Sequence, residues 1–180
     1  MKILTDQEVS AWCSHHGIEK QGRKLVFGRP YENWVVIDMP KMATERMMLC
    51  IDLLLLGGVD ESITDLIWIS TWRIWSDWND DFGEFMVAKL RAQADEAPSP
   101  LGEASGHLLS LDERTLSTAL LWQMMLFNWD CFLVPATGEH IVECSHDEIV
   151  WIMCRTGAAH ERALINLSRW KPKIRSFIPS

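Results

Sequence analysis

The sequence predicts a single α+β domain: a small mixed or antiparallel sheet with helices packed on it. Three observations lead there. The pattern Ser/Thr-x-x-Glu, which caps helix N-termini, precedes apolar stretches at three places. Short runs of β-branched and aromatic residues, bounded by turn formers, alternate with the helical stretches. Two pairs of those runs lie a turn's length apart, as in hairpins, and helices segregated from short antiparallel strands define the class. A chain of 180 residues fits one domain, residues 1–180. It buries about 70% of its unfolded surface, enough for a core without staples.

The elements follow in order. Thr5-Asp6-Gln7-Glu8 starts a helix that stops near Gly17. Leu25-Val26-Phe27 and Trp34-Val35-Val36-Ile37 read as strands, with Gly28-Arg29-Pro30-Tyr31-Glu32-Asn33 as the turn between them. Thr44 to Leu56 is a strongly apolar helix closed by Gly57-Gly58. Met47, Ile51, Leu54 and Leu55 share one face, and Met48, Leu49 and Leu53 leave little polar surface, so this helix is expected at the centre. Leu66 to Trp75 alternates between two apolar faces, Leu66, Trp68, Trp72 and Ile74 against Ile67, Ile69 and Trp75, as in a strand covered on both sides. Asn79-Asp80-Asp81 opens a helix with Phe82, Met86 and Leu90 in register, and 94–106, rich in Pro and Gly, is a loop.

Ser110-Leu111-Asp112-Glu113 is the second capping box, heading a helix to about Asn128 with Leu116, Leu120, Met124 and Phe127 as its stripe. Cys131–Val134 and His140–Cys144 flank Pro135-Ala136-Thr137-Gly138-Glu139 as a hairpin. Ser145-His146-Asp147-Glu148 is the third box, with Ser145 as the cap of a helix through Ile149, Val150, Ile152 and Met153. The basic remainder reads as a last helix and, from about 171, a tail peripheral to the fold.

Composition narrows the function. The longest apolar run, around MMLCIDLLLLGG, is about half the length of a membrane span, which takes about twenty residues. The opening MKILTDQEV is too short for a signal-peptide core. A cytoplasmic protein is expected. Cys13, Cys50, Cys131, Cys144 and Cys154 are odd in number and without a C-x-x-C, so they read as buried thiols. The net charge is −8, and 155–180 holds six basic side chains against one acidic. The acidic remainder disfavours nucleic acid and anionic membranes and favours a basic protein partner, although acidity alone also serves solubility.

No segment carries a convincing catalytic motif. Ser145, His146 and Asp147 are adjacent, whereas triad members converge from distant positions. Neither Cys144, His146 and His160 nor Cys13, His15 and His16 has zinc-module spacing, so no metal and no cofactor are expected. His15-His16 suits a helix C-terminus. The densest acidic cluster is Asp77, Asp80, Asp81 and Glu84, a solvated helix start or a partner-binding face. Four of the ten tryptophans, Trp68, Trp72, Trp75 and Trp78, fall just before and within it. Trp68 and Trp72 suit the core; Trp75 and Trp78, beside acids, suit either core or the rim of a binding hot spot.

Taken in order, Trp68-Ile69-Ser70-Thr71-Trp72-Arg73-Ile74-Trp75, Gly106-His107-Leu108-Leu109, Trp129-Asp130-Cys131-Phe132-Leu133-Val134 and Ser145-His146-Asp147-Glu148 resemble a family of small uncharacterised bacterial proteins over roughly 45–152. The resemblance implies a bacterial, intracellular, single-domain protein. Small acidic chains without catalytic motifs are also similar, as a class, to immunity proteins that neutralise toxins. The leading expectation is thus a non-enzymatic inhibitor whose Trp75, Asp77, Trp78, Asp80, Asp81 and Glu84 occlude a basic toxin active site. The alternatives are an enzyme or small-molecule-binding domain with a pocket around His107, His146 and Asp147, and a structural subunit using the basic tail.

Overall fold

The computed structural model describes residues 1–28, 33–58, 64–72, 78–94 and 99–176, with the backbone alone for 33, 78–80, 175 and 176. Along the chain run β1 (Lys2–Leu4), α1 (Asp6–His15), β2 (Ile18–Gln21), β3 (Lys24–Phe27), β4 (Asn33–Asp38), α2 (Ala43–Leu54), β5 (Asp65–Thr71) and α3 (Trp78–Gln93). Then come β6 (Gly106–Leu109), α4 (Arg114–Phe127), β7 (Asp130–Val134), β8 (His140–Ser145), β9 (Ile149–Cys154), α5 (Gly157–Asn166) and β10 (Lys173–Ser176).

The main sheet has eight strands in the order β1-β6-β5-β7-β8-β9-β4-β10, every described pair antiparallel. The α+β class is thereby confirmed. Strand alternation divides the core in two. Ile67, Leu133, Val142 and Ile152 pair across β5, β7, β8 and β9 and face the main helical layer with α2 and α4. Leu66, Trp68, Phe132, Val134 and Met153 face the other way, beneath α1 and the small β2–β3 hairpin. Gly106 permits that second layer: a Cβ there would lie 2.3 Å from Val9 Cγ2 on α1.

Several sequence expectations are corrected. Ser145 caps no helix. It ends β8, and the chain turns through 146–148 into β9. Ser145 Oγ accepts the Asp147 N–H (3.2 Å), and Glu148 sits at φ 60°, outside any helix. The reason is period: Val150, Ile152 and Cys154 alternate onto the helical side while Met153 lies on the other. β3 and β4 are not a hairpin either; β3 pairs with β2, and β4 joins β9 and β10. The basic tail is not peripheral to the sheet, because Lys173–Ser176 pairs with Val36–Asn33 at its edge.

β5 ends at Thr71, and a bulge between Ile69 and Thr71 inserts one residue opposite β7. An inserted residue reverses the alternation. Trp68 therefore lies under α1 and the hairpin while Trp72 packs with the opposite cluster, rather than sharing its face. The apolar α2 lies in the outer layer. It buries Arg46, Leu49, Cys50, Leu53 and Leu54 and exposes Met47, Met48 and Ile51, with Leu55 exposed at its C-cap.

Candidate functional surface

The start of α3 is placed by an aromatic series running out of the core. Trp129, 1% exposed, packs beside Phe127 (ring centroids 5.7 Å apart). Phe127 meets the edge of Phe82 (6.1 Å, 72°), and Phe82 stacks on Phe85 (6.4 Å, 26°). Gly83 makes this docking fit. A Cβ on it would stand 2.7 Å from Trp129 Cζ2 and 3.2 Å from Phe127 Cδ2, so only glycine lets the helix backbone approach so closely.

The buried positions of α3 are consequently Gly83, Val87 and Arg91, a stripe offset by one residue from Phe82, Met86 and Leu90. Phe82 and Phe85 are left 49% and 52% exposed. Lys89 Nζ lies 5.2 Å from the Phe85 ring, and Asp81 is exposed beside Phe82. Of the expected partner residues, Asp81 and Glu84 therefore belong to the same two turns as the exposed phenylalanines. Trp78 and Asp80 are in the first turn of α3, described by backbone alone, and Trp75 and Asp77 lie outside the described residues. Trp68 is core: 2% exposed, stacked on Phe132, with its indole N–H donating to Ser105 Oγ (3.1 Å).

α3 is fixed farther along by Arg91, which is 2% exposed. Its Nε–H donates to His107 Nε2 (3.1 Å), Nη1 donates to the Ser99 carbonyl (2.6 Å), and Nη2 to the Ala104 carbonyl. A guanidinium can only donate, so Nε2 accepts, and the proton on Nδ1 points to the Ile67 carbonyl (3.3 Å). Burial, reinforced by the Arg91 charge, pushes His107 down to about 3; burial also lowers Arg91 to about 10.

The alternative pocket of His107, His146 and Asp147 does not assemble. His107 is buried on the helical side of β6, facing Arg91. His146 sits beyond the end of β8, three strands away across the sheet, or about 14 Å at the usual strand spacing. There Asp130 Oδ1 accepts both the His146 backbone N–H (2.8 Å) and Nδ1–H (2.7 Å), which raises the imidazole's pKa despite some desolvation. His146 Nε2 faces Asp147 Oδ1 at 3.6 Å. Among the described residues no hydroxyl or thiol is hydrogen-bonded to that nitrogen.

No group of three or more His, Cys, Asp or Glu among the described residues is arranged to hold a metal ion. All five cysteines are buried free thiols. Burial pushes Cys13 and Cys154 up to about 12. No described helix is long and apolar enough to cross a membrane. His15 lies in the last turn of α1, and the His16 ring meets the Trp12 carbonyl (2.8 Å) at its C-cap. Sequence reasoning does not single out the exposure of Phe82 and Phe85, the close approach at Gly83 or the bond of Asp130 to His146. A glycine between two phenylalanines on a strong helix start was the available signal. Comparison with protein families, with curated proteins and with solved structures found no match to this chain.

Proposed function

We propose that the protein is a non-enzymatic cytoplasmic binding protein, an immunity-type inhibitor that occludes the basic active site of a toxin with the first two turns of α3. The observation that carries this reading is the half-exposed Phe82–Phe85 stack, anchored on Trp129 and set beside Asp81 and Glu84. Exposed aromatics fixed from behind lose little side-chain entropy on binding, and such residues dominate interface energies. The acids and the net charge of −8 supply steering towards a basic partner. The reading keeps Trp75, Asp77, Trp78 and Asp80 as expected partner residues from their place in the sequence just before Asp81.

The test begins with a partner isolated from the host cell, identified, and shown to be a basic toxin inhibited by this protein. Asp80→Lys with Asp81→Lys should then slow association and flatten its dependence on salt. Phe82→Ala with Phe85→Ala should raise the dissociation rate. If both variants bind and inhibit as the parent does while remaining folded, the surface lies elsewhere. A partner that is acidic, or whose activity survives complex formation, would overturn the inhibitor reading.

A further inference from the structure

Among the described residues two arginines are buried, and they are treated differently. Arg46 reaches the Pro40 carbonyl (2.7 Å), Asn128 Oδ1 (3.1 Å) and, through Nη2, the Glu148 carboxylate (2.7 Å). Its charge has a counter-charge. Among the described residues, Arg91 is bonded to two carbonyls and a neutral imidazole and to no carboxylate. Buried charges are normally paired, because the cost of desolvation is otherwise left standing.

Beside Arg91 lies a cavity of about 220 Å³, enclosed by α3 and the segment 99–102. Val87, Ala88, Pro100 and Leu101 make its walls apolar. Glu84, Val87, Ala88 and Arg91 follow one another along one face of α3, at i, i+3, i+4 and i+7, with 99–102 opposite. Nη1 carries two N–H groups, and one of them is taken by the Ser99 carbonyl. We infer that this cavity is a binding site for a small monocarboxylate with a short apolar tail, its carboxylate set against the remaining Arg91 N–H and its tail between Val87, Pro100 and Leu101. The volume accepts a molecule of several heavy atoms. The apolar walls favour an acid with a hydrocarbon tail over phosphate. A charged acceptor strengthens a guanidinium hydrogen bond well beyond a neutral one. The cavity shares Glu84 with the proposed partner surface, but recognition of a small acid by Arg91 does not depend on that reading.

Butyrate and its neutral isostere butyramide separate charge recognition from filling of the cavity. Titrated into ¹⁵N-labelled protein at constant ionic strength and pH, butyrate should saturably shift the amide resonances of 87–91 and 99–104. Butyramide should bind at least tenfold more weakly, and phosphate should bind more weakly than butyrate. Ala88 is exposed on its helix while lining the cavity, so Ala88→Phe adds bulk at the site without replacing Arg91, its fold checked by its spectrum. It should abolish the butyrate shifts. Arg91→Lys, checked for a native spectrum, should retain weakened binding. Equal affinities for butyrate and butyramide, absence of saturable shifts, tighter binding of phosphate, or full binding by a folded Ala88→Phe variant would each overturn the assignment.

Discussion

Two stacked aromatic pairs have opposite fates. Trp68 and Phe132 stack at 5.5 Å within the sheet and are almost wholly buried. Phe82 and Phe85 stack at 6.4 Å on α3 and stay half in water. Tryptophan is the stronger marker of a hot spot by composition, yet the exposed pair is phenylalanine. The difference lies in what fixes each ring. Strand pairing presses Trp68 onto Phe132, whereas Gly83 turns α3 so that its phenylalanines point away from the sheet. Residue type states that a side chain is apolar; the packing of the element behind it decides which side it covers.

The comparison is broken most severely by truncating the buried pair. Trp68→Ala should cost about 3–5 kcal/mol in urea denaturation, as large aromatic deletions in cores do. The same loss of rings from the exposed pair, Phe82→Ala with Phe85→Ala, should change stability by less than about 1 kcal/mol while weakening partner binding by about 2 kcal/mol or more. A large stability loss in the second variant would place those rings in the core and remove the contrast.

Gly83→Ala comes next. In a helix open to solvent this change gains up to about 1 kcal/mol. Here the new methyl group meets Trp129 at 2.7 Å, so the net effect should be a loss of about 1–3 kcal/mol, measured by thermal and urea unfolding. Stabilisation would show that α3 does not dock as described.

The other anchor of α3 makes a pH prediction. His107 is neutral in the folded protein down to about pH 3, while in the unfolded chain it takes a proton near 6.5. Between those values the unfolded state binds the extra proton. Stability therefore falls as pH drops through that window, by at most about 1.4 kcal/mol per pH unit from this group. His107→Gln should flatten that slope in urea midpoints measured from pH 7 to pH 4. His146 acts with the opposite sign: its raised pKa contributes stability at low pH that is lost as pH rises through the folded value.

The fold class and two capping boxes were legible because caps are local. Thr5 with Glu8, and Ser110 with Glu113, make the reciprocal bonds the pattern describes. Ser145-x-x-Glu148 has the same letters and fails, since the residues after it alternate with period two and Glu148 takes a left-handed conformation. The bulge near Ser70 reverses the face of Trp72, and nothing in the local spacing announces it. At the candidate surface, Asp81 and Glu84 were legible as acids at a helix start. Phe82 was assigned to the buried stripe because the sequence does not show that Trp129, forty-six positions away, occupies the space beside Gly83. The Asp130–His146 and Arg91–His107 pairs are likewise tertiary, joining groups that no motif connects.

Amide hydrogen exchange on the protein, free and in complex with its isolated basic partner, tests the central claim most directly. The account predicts that complex formation slows exchange across 78–89, at the start of α3, and leaves α2 from Met47 to Leu54 unchanged. Protection on the exposed apolar face of α2, with 78–89 exchanging as in the free protein, would contradict it.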